Sequence, residues 1–314
     1  MNTIIVSPKD DLQSVLDAIS QPSTVFLKSG IYNQKIEIKN NFVKLLGESR
    51  ENTVITYADY AKNIHADGKE YNTFRTYTLC VSGEGCSIEN LTVINSNTKP
   101  EEVGQCVALS VNCKSFYAER VNLISTQDTL FLAPFPDDLV IRYRGFIPHR
   151  QLYIEGKALH FFKDCKISGT VDFIFGCSEA YFDNCEIISL FEKRGEGYIA
   201  APAHPLAEDC AFTFINCSLK AEGAQDNSVY LARPWRDFGK CVFLNCRADK
   251  HINRGLFDKW NDTERDKSAR FYFGGMQFNF TPSPVPWAHE LDGNQVSEII
   301  NNYNAKFKAI KALI

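Results

Sequence analysis

The chain has 314 residues, 44% hydrophobic and 23% charged, a globular composition that excludes a wholly disordered polypeptide. Lys and Arg number 34 against 38 Asp and Glu, so the net charge is −4 and no basic stripe for a nucleic-acid partner is expected. No run of about twenty apolar residues occurs, and no membrane partner is expected.

The first predicted element is a helix. Leu12, Val15, Leu16 and Ile19 recur at helical spacing behind Asp10 and Asp11, both good capping residues. Short apolar runs follow, broken by Gly, Asn, Asp and Pro. Val43 to Leu46, Cys106 to Val111, Val171 to Phe175 and Phe212 to Ile215 are examples, and they predict an all-β architecture. Val296, Ile299, Ile300 and Tyr303 predict a second helix near the C-terminus. The opening residues lack a basic segment followed by an apolar stretch, so a cytoplasmic location is expected. The eleven cysteines are odd in number and form no Cys-x-x-Cys pair, which favours free thiols over disulfides or zinc.

A repeat runs through the middle of the chain. Val111-Asn112-Cys113, Phe162-Lys163-Asp164-Cys165, Phe182-Asp183-Asn184-Cys185, Phe214-Ile215-Asn216-Cys217 and Phe243-Leu244-Asn245-Cys246 share one ending. Irregular spacing of that kind predicts a β-solenoid with Asn or Asp at a corner and five cysteines stacked beside it. The two helices are expected to cover its open ends. Residues one coil apart then lie roughly 4.8 Å apart, so distant segments can meet on one outer face. A single domain over residues 1–314 is expected.

Serine-elbow, zincin and P-loop motifs are missing, and the six histidines are scattered. Chemistry therefore falls to carboxylates and amides, without a metal or other cofactor. Asp172 lies in an apolar run. Alone it fits a solvated or backbone-bonded Asp, but paired with an Arg it can stay ionised and act as a nucleophile. Gln105 and Gln127 are one plausible coil apart and could aim two N–H donors at one point, or form an outer polar ladder. Asp128 follows Gln127 directly, so both can serve one site only if the backbone bends or the strand ends there. Two Asp residues in one site cannot both ionise readily. The proton is assigned to Asp128, as general acid and then base. Arg233 supplies a planar fork for a carboxylate, and Trp235 an aromatic platform.

Together these segments resemble the pectin methylesterases. The motifs are Gln105-Cys106-Val107-Ala108-Leu109, Gln127-Asp128-Thr129-Leu130, Asp172-Phe173-Ile174-Phe175-Gly176 and Ala232-Arg233-Pro234-Trp235. The similarity runs from about Gly30 to the last quarter of the chain. It implies a single-stranded, right-handed parallel β-helix with short capping helices. It also implies removal of C6 methyl esters from methylated pectin or oligogalacturonides by a monomeric esterase. By resemblance Asp172 is the nucleophile, Asp128 the acid/base, Gln105 and Gln127 the oxyanion donors, and Arg233 the group holding Asp172. Trp235, Tyr230 and Phe131 match aromatic positions that line the sugar cleft. Three departures stand out. Ala232 replaces a glycine, and its extra methyl could narrow the approach to Arg233. Leu256 stands where a tryptophan is expected, with Trp260 nearby. The stretch between Leu132 and His149 is long; with Arg150 just beyond it, Arg142 and Arg144 either face galacturonate carboxylates or belong to a solvated loop. The rival expectations are a lyase or polygalacturonase, a catalytically silent carbohydrate-binding solenoid, and an esterase or thioesterase for a different acyl substrate.

Overall fold

In a computed structural model describing residues 2–97 and 99–313, the repeat resolves into coils of three short parallel strands. The coils stack into three parallel sheets of eleven, nine and seven strands, a parallel β-helix. A complete coil passes through the eleven-stranded, then the nine-stranded, then the seven-stranded sheet, as in Ser115–Glu119, Asn122–Ile124 and Leu130–Leu132; the terminal coils lack strands of one or more sheets.

Four of the five repeated endings mark one corner. Asp164, Asn184, Asn216 and Asn245 all have left-handed backbone, with φ of 53°, 53°, 55° and 54°. Asn and Asp tolerate that conformation better than other side chains, which is why they recur at the turn. The Phe three residues before each Cys points inward. Strand register places Phe162, Phe182, Phe214 and Phe243 side by side. Their rings stack at 5.0, 4.5 and 4.4 Å between centroids. The following Cys165, Cys185, Cys217 and Cys246 form a column of buried thiols. The last three donate to backbone carbonyls of the preceding coil, at Phe162, Phe182 and Phe214.

The fifth expected member is a correction. Asn112 and Cys113 lie between the seven- and eleven-stranded sheets, at another corner. Asn112 keeps ordinary backbone and donates its amide to Gln151 O at 2.6 Å. The true counterpart in that coil is Arg120, with φ of 50°. All eleven cysteines are buried free thiols.

The helices also divide. Leu12–Asp17 is capped by Asp11, whose Oδ1 accepts the Ser14 N–H at 3.1 Å, and buries Leu12 and Leu16 against the first coils. The C-terminal helix Gly293–Leu313 does not cover the far end as expected, and it is not short. It runs back along the outer face of the eleven-stranded sheet. Tyr303 donates to Asp183 Oδ2 at 2.7 Å, Phe307 meets Phe161, and Lys311 reaches Glu119. The far end is closed instead by Trp287, packed on Phe257 and Phe271, with Phe280 and Val285 beside the core. An amphipathic helix can satisfy its apolar stripe on any apolar surface, and here the outward Tyr117, Phe161 and Tyr181 supply one.

Candidate active site

The site lies where three successive coils enter the seven-stranded sheet. The backbones just before the strands are laddered: Cys106 N–H donates to Gln127 O at 3.1 Å, and Asp128 N–H to Val171 O at 3.1 Å. Both acids sit in the bends, not in strands. The strand after Asp172 begins at Ile174, later than the expected Val171, and the strand after Asp128 begins at Leu130. Asp128 and Asp172 have φ of 64° and 49°. This is the backbone bend that two neighbouring residues need to serve one site, and left-handed non-glycine backbone of this kind concentrates at functional sites. Gly169 makes the second bend possible. A Cβ there would lie 2.2 Å from Phe173 Cβ and 2.7 Å from Thr126 O. Without that Cβ, Phe173 folds into the core and Asp172 turns outward.

Gln105, Gln127, Asp128, Asp172, Arg233 and Trp235 all line one cavity of about 310 Å³. Arg233 grips Asp172 with two bonds, Nε to Oδ1 at 2.8 Å and Nη2 to Oδ2 at 2.7 Å. The guanidinium is itself sandwiched, 3.7 Å from the Tyr198 ring centre and 4.0 Å from that of Trp260. Burial and the neighbouring Asp172 charge push the Asp128 carboxyl well above the ordinary range. Burial raises Asp172 too, but the bonds and charge of Arg233 oppose it. The two acids are thereby ordered: the one with the fork ionises first, and its neighbour keeps a proton. His160 and His204 lie elsewhere. Burial pushes them down to about 4 and about 3, and each holds a backbone carbonyl.

Several expected residues sit differently. Phe131 is fully buried and does not line the cavity. Its side chain is on the outer face as strand alternation requires, but Phe74, at 4.8 Å, and Phe135, at 4.7 Å, cover it. Phe74 and Phe175 carry the aromatic wall in its place, with Trp235 edge-on to Phe175 at 5.6 Å. Tyr230 stacks on Tyr198 at 5.4 Å, outside the cavity lining. Ala232 does not crowd Arg233, because its methyl points into the core while Arg233 points out. Leu256 is likewise a core residue, and Trp260 supplies the aromatic surface on Arg233. The long stretch forms a helix, Asp137–Tyr143, and a single turn, His149–Leu152. Of its arginines only Arg142 lines the cavity. Arg150 forks onto Glu37, at 2.8 and 2.6 Å, and Arg144 donates to the Tyr153 hydroxyl at 3.3 Å. Sequence reasoning missed Arg194, which donates to Gln127 Oε1 at 3.0 Å from 67 residues away. No spacing or motif announces that contact.

A family model described as Pectinesterase matches residues 5–134 and 138–282. Pectinesterase 31 of Arabidopsis thaliana is 29% identical over 306 residues, covering 93% of this chain and 86% of that one. The solved pectin methylesterase PemA from Erwinia chrysanthemi superposes with a TM-score of 0.77 at 26% identity, over 95% of both chains. A pectin methylesterase solved in complex with a hexasaccharide gives a TM-score of 0.74 at 27% identity, over 90% of this chain and 87% of that one. With a family match spanning nearly all the coils, the chain belongs to the pectinesterase family, the esterases that remove methyl esters from pectin.

Proposed function

We propose that the chain hydrolyses the C6 methyl ester of galacturonate units in pectin or its oligomers, with Asp172 as nucleophile and Asp128 as acid/base. The observation that carries this is the unequal pair: one buried carboxylate held in an arginine fork, beside a second whose proton is retained. An Asp172 oxygen attacks the ester carbon, and the carbonyl electron pair moves onto oxygen. The carboxamides of Gln105 and Gln127 donate to that oxyanion; one such donor contributes on the order of 3 kcal/mol in other hydrolases. The intermediate collapses, breaking the C–O bond to methoxide, which takes the proton of Asp128 and leaves as methanol. The resulting anhydride on Asp172 is attacked by water. Asp128, now ionised, takes one water proton as the hydroxide adds to the acyl carbon, the C–O bond to Asp172 breaks to return its carboxylate, and the galacturonic acid formed loses its proton to solvent.

Arg233 holds the Asp172 carboxylate through two bonds. Its fork lowers the cost of the ionised carboxylate in a buried site and orients the attacking oxygen. Trp235 offers an aromatic face to sugar rings, while Arg142 suits an anionic chain; Arg236 is already paired with Asp138, at 3.2 and 2.7 Å. The similarity to a hexasaccharide-bound methylesterase supports an oligomeric or polymeric substrate in this groove. The eleven unpaired thiols support work in a reducing compartment, the cytoplasm. The test is product analysis on methylated pectin and on short methylated oligogalacturonides. Methanol and titratable acid should appear in equal amounts, without new reducing ends or unsaturated products. Reducing or unsaturated ends without methanol would remove the ester reading.

A further inference from the structure

Gln127 and Gln105 are not held alike. The Gln127 Oε1 accepts a bond from Arg194 Nη1 at 3.0 Å. The Gln105 carboxamide has no such bond among the described residues. Arg194 is in turn held by Glu192, with Nε to Oε1 at 2.7 Å and Nη2 to Oε2 at 2.9 Å. The Arg194 backbone N–H also donates to Glu192 Oε1, at 2.9 Å. The Glu192 side chain is only 4% exposed, so the base of this relay is fixed in the protein, while Arg194 is 44% exposed. All of it lies in the turn between the strands Glu186–Leu190 and Gly197–Pro202. Arg194 is not among the residues lining the cavity, whereas Gln127 is.

We propose that Arg194, braced by Glu192, is a positioning residue that locks the Gln127 carboxamide with its NH2 toward the bound ester. A guanidinium has donors and no acceptor, so only the oxygen of a glutamine can face it. The usual ambiguity between amide oxygen and nitrogen is thereby resolved by chemistry. The amide is planar, and fixing its oxygen on Arg194 leaves both N–H donors on the remaining side, away from the arginine. An oxyanion donor is effective when it needs no reorientation as charge develops, and this relay supplies that for one donor of the two. The inference rests on reading Gln127 as an oxyanion donor.

The experiment is a double-mutant cycle on the full chain with methylated pectin, reading kcat and KM for Gln127→Ala, Arg194→Met and the pair. Gln127→Ala should lower kcat about 100-fold or more. Arg194→Met should lower kcat roughly tenfold with KM little changed, because a freely turning amide is no longer preorganised. In the Gln127→Ala background, Arg194→Met should cost less than about threefold, since there is no amide left to orient. Glu192→Gln, which keeps the shape of the brace and loosens its grip, should lower kcat in the same direction. An Arg194→Met loss that persists undiminished without Gln127 overturns the proposal and assigns the arginine to the charge of the two acids. Unchanged kcat in both Arg194→Met and Glu192→Gln overturns it as well. Unchanged kcat in Gln127→Ala removes the oxyanion reading itself, a different failure from the first two.

Discussion

Removing the fork from Asp172 separates charge pairing from packing at the centre of the site. In Arg233→Met the methionine keeps some of the apolar contact with Tyr198 and Trp260 but leaves Asp172, 7% exposed, without its cation. Breaking one side of a buried ion pair costs about 3–5 kcal/mol, because the remaining charge is uncompensated. For 314 residues unfolding at about 2.1 cal/mol/K each, 1 kcal/mol corresponds to roughly 1.5 °C, so Tm should fall by about 5–8 °C at neutral pH. Asp172 can escape by taking a proton, and the penalty should therefore shrink near pH 4. Denaturant unfolding at pH 8 and pH 4 reads this directly. The double variant Arg233→Met with Asp172→Asn removes both charges and should recover about 2 kcal/mol at pH 8. An equal loss at both pH values, with no recovery in the double variant, would contradict an uncompensated Asp172 charge as the cause. It would place the loss in the stacking of the guanidinium between its two rings.

Three further outcomes follow from the same structure. The folded Asp128 carboxyl is raised, so the native state holds this proton to higher pH than the unfolded chain does. Its contribution to stability therefore declines as pH rises from the ordinary carboxylate value of about 4 towards the raised one. Asp128→Asn should be inactive yet more stable than the wild type at neutral pH, with the difference vanishing below about pH 4; equal stability at all pH values would contradict the shift. Phe214→Ala opens the middle of the ring stack between Phe182 and Phe243 and should cost about 3–5 kcal/mol in urea unfolding. The eleven buried thiols, Cys86 among them pushed up to about 12, should react slowly with a thiol reagent in the native protein and all together on unfolding; rapid native reaction would contradict their burial.

What could be seen in the sequence was whatever a local rule enforces. The Phe-x-x-Cys spacing with Asn or Asp before the Cys marks a left-handed corner and an inward ring at once, and four of its occurrences lie in register. The same dipeptide at Asn112-Cys113 obeys no such rule, because its amide serves Gln151 O at a different corner. The bend at Asp128 was foreseeable from the need to put adjacent side chains on one site. Contacts made by insertions were not. Phe131 alternates outward as a groove residue should, yet Phe135, four residues on, and Phe74 from a distant loop cover it. Only the placement of the helix Asp137–Tyr143 distinguishes Arg142 at the cavity from Arg150 on Glu37. The apolar stripe of the C-terminal helix announces a face but not the sheet it seeks. Arg194 reaches Gln127 only because a turn from a later coil leans over the site.

Asp172→Asn is the most direct measurement, because it keeps the size of the side chain and one acceptor for Arg233 while removing the nucleophile. Methanol release from methylated pectin should fall at least about 1000-fold, with the oligosaccharide still bound and the fold intact. Turnover within a few-fold of the wild type would contradict it.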